Sequence, residues 1–139
     1  MRRLGRFAGL PPAQRRLLLL AALLLPLTYV ALRIVPFASL LSVAQRLVRP
    51  LRNAALPPDR VVWAVLAAGR RVPGGRHCLT HALVTHILLR RYGYDSQLRI
   101  GLMPIPGHTF RAHAWVERDG LVLTGGAPRS AFTPLRANF

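Results

Sequence analysis

The 139-residue sequence contains no lysine, one cysteine and four acidic residues, against 20 arginines and a net charge of +16. The single cysteine, Cys78, excludes an internal disulfide framework and a zinc site built from several thiolates. It leaves either a buried structural thiol or a reactive one. Because every basic side chain is arginine, the charge persists at any accessible pH and suits two-pronged binding of carboxylates or phosphates. An acidic partner or an anionic surface is implied. Apolar residues nevertheless make up 52% of the chain, which excludes a disordered basic tail. The length suits one domain with a real core. No internal repeat is visible, and no low-complexity tract beyond one leucine run.

That run, Leu17 to Leu32, is uncharged and 16 residues long, short of the roughly 20 that a spanning helix needs. Arg15, Arg16 and Arg33 bound it. No small-x-small cleavage site follows, and Pro26 should kink or split a helix here. A packed or membrane-surface helix is the first expectation, a single anchor the second and a cleaved signal the last. If the run anchors, its arginine-rich start stays in the cytoplasm. From Leu40 to Leu51 apolar residues recur at helical spacing, with Arg46, Arg49 and Arg52 on another face. Pro57 and Pro58 end that helix, and Asp59 is placed to cap another, which runs to Gly69 with Arg70 and Arg71 at its end. The bland role for these helices is a layer covering the second half of the domain.

The second half differs in texture. Pro73, Gly74 and Gly75 suggest a flexible lead-in to a helix that ends at Gly93, with Cys78 within a turn of its start. Unpaired N–H groups and the positive end of the dipole favour an anionic sulfur there. Leu98, Ile100 and Leu102 then alternate on a strand. A second strand sets Phe110, Ala112, Ala114 and Val116 on one face and Arg111, His113, Trp115 and Glu117 on the other. Asp119 and Gly120 supply a turn into a third strand, Leu121 to Thr124. Helices followed by an antiparallel meander give an α+β fold. Cys78 and His113 are the candidate thiol–imidazole pair, the ring taking the thiol proton and returning it to a leaving amine.

The blocks RRVPGGRHCLTHALVTHILLRRYGYDSQLRIGL and FRAHAWVERDGLVL resemble those of the lasso-peptide leader peptidases, a transglutaminase-like family of cysteine proteases that includes the microcin-processing enzymes. The resemblance covers about residues 70 to 126. It implies a transglutaminase-like or papain-like core at 70–139 behind a hydrophobic, arginine-rich helical region at 1–69, the two forming one compact unit. Cys78 would be the nucleophile and His113 the base. The reaction would be leader removal from a ribosomally made precursor, in the cytoplasm, with membrane association through residues 17–32 as an addition. The partners implied are the precursor peptide, a small leader-recognition protein and a macrolactam synthetase. No cofactor is expected, since ATP is used by the synthetase.

The family places an aspartate on the strand after the histidine, roughly opposite it. Here a two-residue hairpin loop sets Gly126 opposite His113, and a three-residue loop sets Gly125 there. Neither carries a carboxylate. Asp119 lies on the order of 20 Å away along an extended strand. Thr124, Gln97, Asp95 or a backbone carbonyl remain as orienting groups. Trp115 shares a face with His113 and either walls a substrate site or simply packs. His77 and His81 are four apart, but no HExxH glutamate or second thiol completes a metal set, and none is expected. His86 reads as structural. Gly107 and His108 fall in a loop, MPIPGHT, that flanks a cleft or has no role.

Two other functions compete: a non-enzymatic arginine-rich protein binding a membrane or nucleic acid, and a thiol acyltransferase. No nucleic-acid motif is visible and the arginines form no single stripe, so nucleic acid is disfavoured. Hydrolysis and acyl transfer share one acyl-thiol intermediate.

Overall fold

A computed structural model describes residues 2–51, 56–75, 77–125 and 133–134. Five helices precede the sheet: α1 (Arg2–Ala8), α2 (Pro12–Ile34), α3 (Phe37–Leu47), α4 (Pro58–Gly69) and α5 (Cys78–Arg91). Strands β1 (Gln97–Ile105), β2 (His108–Arg118), β3 (Leu121–Thr124) and β4 (Thr133–Pro134) follow, in the spatial order β3-β2-β1-β4. β1–β2, β2–β3 and β1–β4 are all antiparallel pairs. The fold is α+β.

One core crosses the junction between residues 69 and 70. Leu17, Ala21 and Leu25 of α2 meet Val61, Ala64 and Val65 of α4, Leu83, Val84 and Leu88 of α5, and Leu98, Ala114 and Val116 of the sheet. Alanines at 64, 67 and 68 give α4 a low profile, which suits its place between longer apolar side chains.

Pro26 does not split α2, which runs unbroken for 23 residues. An interior proline costs about 3 kcal/mol. Leu17 and Leu25, both fully buried, each return about 1.5–3 kcal/mol, so packing outweighs the local penalty. α3 lies earlier than the periodicity placed it. Pro50 holds the residue before it out of helical geometry, and Val48 is already extended, so Arg49 lies beyond the helix. Arg52 is outside the described residues. In α4 the N-cap is Pro57, and Asp59 sits in the first turn with no capping bond of its own; its charge there still suits the dipole. At the other end Arg71 donates to the Ala67 carbonyl at 2.9 Å, satisfying a last-turn acceptor.

The lead-in to α5 is a close contact and not a flexible link. A Cβ built on Gly75 would lie 2.5 Å from the Gly69 carbonyl oxygen, and one built on Gly74 would overlap the Tyr29 ring. Gly75 lets backbone touch backbone, and Gly74 lets the Tyr29 ring lie against the main chain. α5 ends in a Schellman motif: Gly93 has φ 83°, its N–H reaches Arg90 O at 3.0 Å, and Tyr94 N–H reaches Leu89 O at 2.9 Å.

The MPIPGHT segment is mostly strand. β1 extends to Ile105 and β2 begins at His108, leaving Pro106 and Gly107 as the connection. Pro104 sits at the register shift between Met103 and Ile105, where a missing donor is tolerated. The second hairpin takes the two-residue loop: Asp119 (φ 50°) and Gly120 (φ 77°) are both left-handed, as a type I′ turn requires. A bulge then pairs Val116 with Thr124 while Glu117 pairs with Val122.

Candidate active site

Cys78 is the first residue of α5, half-buried and not in a disulfide. His77, at the N-cap, makes no side-chain capping bond; its ring meets Tyr29 edge-on at 5.9 Å between centroids. The first-turn N–H groups are thus left uncapped by that side chain, as anion stabilisation at Cys78 would want.

α5 returns antiparallel to β1, so residues on the two can be placed at matching depths. His86 Nδ1 lies 2.7 Å from Ser96 Oγ, just before β1. From His86 back to Cys78 is about 12 Å of helix. From Ser96 to Gly101, the cross-strand partner of His113, is about 17 Å of strand. Thiol and imidazole therefore come from neighbouring elements at similar depth. Strand alternation separates their faces: Ala114 and Val116 turn into the core shared with α5, whereas His113, Trp115 and Glu117 project the other way. Among the described residues, no hydrogen bond joins the Cys78 thiol to the His113 ring.

His113 is held from the β3 side. Its Nε2 lies 2.5 Å from the Gly125 carbonyl oxygen. A carbonyl can only accept, so Nε2 carries the proton, and in the neutral ring Nδ1 keeps the lone pair. Gly125 makes this approach with φ 93°, a conformation costly to any residue with a Cβ. A Cβ there would also lie 2.7 Å from that of Trp115 and 3.2 Å from His113 Nε2. Gly125, which the three-residue loop would have set opposite His113, is thus the residue whose main chain approaches the imidazole although the loop has two residues; Gly126 lies outside the described residues.

The other orienting candidates lie elsewhere. Gln97 pairs with Glu117 and accepts from Arg99, and the Asp95 carbonyl accepts from Arg118, both toward the Asp119–Gly120 end of the sheet. Asp119 pairs with Arg118 at 3.3 Å. Thr124 is buried opposite Val116, its hydroxyl unbonded among the described residues. Trp115 stacks beside His113, with centroids 6.1 Å apart and planes 21° from parallel. It is only 4% exposed and donates from Nε1 to Glu117 at 2.7 Å, so it offers support to the ring more than surface to a substrate. Arg99 in turn holds Glu117 at 3.7 Å.

His77 and His81 do not converge on a metal set; among the described residues no three His, Cys, Asp or Glu side chains do. His81 Nε2 is buried without a hydrogen-bond partner among the described residues, and burial pushes its imidazole below the ordinary value. His86 is lowered too, by burial first and then by the Arg90 charge. His86 thus takes a packed, hydrogen-bonded place away from the candidate pair.

The sequence left a backbone carbonyl among the orienting candidates without placing it on a residue. A carbonyl leaves no residue-type signature, and only a Gly-Gly pair just past a strand hinted that main chain would approach the ring.

Residues 21–137 match the transglutaminase-like superfamily. No curated protein and no solved structure gives a significant match. The match embraces most of the helical layer, the thiol at the head of α5 and the histidine on β2; the chain belongs to the transglutaminase-like superfamily.

Proposed function

We propose that this protein is a cysteine peptidase that removes the leader from a ribosomally made lasso-peptide precursor. The superfamily generally contains cysteine-based enzymes, which supports thiol chemistry at Cys78. The observation that carries the reading is the bond from His113 Nε2 to the Gly125 carbonyl, because it presents Nδ1 as the basic nitrogen. In the first step Nδ1 takes the thiol proton and Cys78 Sγ attacks the scissile carbonyl carbon. The tetrahedral intermediate collapses to an acyl-thioester as the leaving amine takes the proton from Nδ1–H. Water, deprotonated by the same nitrogen, then attacks the thioester, giving a carboxylate and regenerating the thiol. The Gly125 carbonyl stands in for the family's aspartate as the group that orients the ring. It carries a partial and not a full negative charge, so it stabilises the imidazolium less. Because His113 projects from the sheet face turned away from α5, proton transfer from Cys78 requires β2 and the head of α5 to rearrange toward each other.

The acceptors of the arginine-rich surface are an acidic leader and a small recognition protein that delivers it, and the separated core passes to a macrolactam synthetase. The test is precursor cleavage in a reconstituted mixture of precursor, recognition protein and this chain. Cys78→Ala should abolish cleavage, and undiminished cleavage by that variant would overturn the proposal.

A further inference from the structure

α2 is apolar on two opposite faces. Leu17, Ala21, Leu25 and Thr28, spaced four, four and three apart, are at most 7% exposed and hold the core. Leu19, Leu23, Leu27, Val30 and Ile34 follow the same helical spacing on the other side and are 52–76% exposed. At 3.6 residues per turn the two rows lie about half a turn apart. The exposed row is about 22 Å long.

Its ends are cationic. Arg16, exposed and three residues before Leu19, heads the row on the same face. At the far end Arg33 lies over the Tyr29 ring at 4.8 Å and donates to its hydroxyl at 2.6 Å. Beside the row, α1, α2 and α4 enclose a groove of about 640 Å³, walled by Leu18, Leu19, Ala22 and Trp63. Among the described residues, the charged ones lining it are Arg6, Arg70 and Arg71.

We infer that this face of α2 docks on an anionic lipid bilayer, the helix lying along the surface with its exposed leucines among the upper acyl chains and its arginines at the phosphates. The length and mean hydropathy of 2.2 would also suit a spanning helix. Spanning would strip Leu17, Ala21 and Leu25 from the core, whereas lying in the interface uses the second face and leaves the first in place. Charge selects the occupant. Two copies, each at +16, would have to meet across a row headed by arginine, whereas anionic lipid neutralises that charge. Of the chain's four carboxylates, Glu117 and Asp119 already pair with arginines.

The experiment uses the full chain with phosphatidylglycerol vesicles and, separately, phosphatidylcholine vesicles. Co-sedimentation should be at least about tenfold stronger on phosphatidylglycerol and should weaken with salt. Trp63 emission should shift to the blue, a response absent in Trp63→Phe. The double variant Leu23→Glu, Leu27→Glu replaces exposed side chains, so it should keep its far-ultraviolet circular dichroism while losing on the order of a hundredfold in binding. Equal binding by the double variant and the parent, or no binding to phosphatidylglycerol, overturns the inference. So does a dimer in sedimentation velocity that the double variant abolishes, since the face would then belong to a second copy.

Discussion

His113 donates from Nε2 to the carbonyl oxygen of Gly125, so a main-chain group holds the ring. Because the contact needs a left-handed residue beside Trp115, Gly125→Ala is expected to lower stability by about 1–3 kcal/mol and to reduce precursor cleavage more than tenfold. Urea unfolding and cleavage rates check the two effects separately.

His113→Gln separates holding from proton transfer. The amide N–H can still donate to the Gly125 carbonyl, but it provides no basic nitrogen. The variant should fold with near-parental stability and lose about 10²–10⁴ in single-turnover cleavage rate. A variant as active as the parent would remove His113 from the mechanism.

His81 and His86 make stability depend on pH. Burial lowers both in the folded state below their unfolded value of about 6.5, so just below that pH the unfolded chain binds more protons. Their contribution is fully present above the unfolded value and is lost as pH falls toward the folded values. Urea midpoints should therefore fall between pH 7.5 and pH 5.5, and His86→Gln should flatten that slope.

Two glycines flanking α5 should respond unequally to alanine. A Cβ at Gly93 meets nothing within 4 Å, so Gly93→Ala should cost only the left-handed strain, about 1 kcal/mol. At Gly75 the Cβ meets the Gly69 backbone, which must move, so Gly75→Ala should cost about 3 kcal/mol or more. Denaturation of the pair side by side checks the ranking.

The parts of this fold that the sequence foretold are those governed by neighbours in the chain. The two faces of β2, the Asp119–Gly120 turn and the stop at Gly93 follow from alternation and from residues that tolerate positive φ. Pro26 misled because its local penalty is overruled by side chains distant in sequence, and Gly74 and Gly75 misled because glycine serves both flexibility and close approach. β4 is two residues long and exists only through pairing with β1, while α1 is about two arginine-rich turns, too short to show a sustained apolar period. For the site, residue types announced Cys78 and His113; the face that each occupies, and the carbonyl at Gly125, depend on how sheet and helices stack.

The Gly69–Gly75 contact ties Cys78 to the end of α4 with no side chain between to absorb displacement. His113 is tied instead to the end of β3. Thiol and base are thus mounted on separate plates, one helical and one sheet, and His113 stands on the side of its plate turned away from α5. Side-chain rotation alone therefore does not bring thiol and base together; one plate has to move relative to the other.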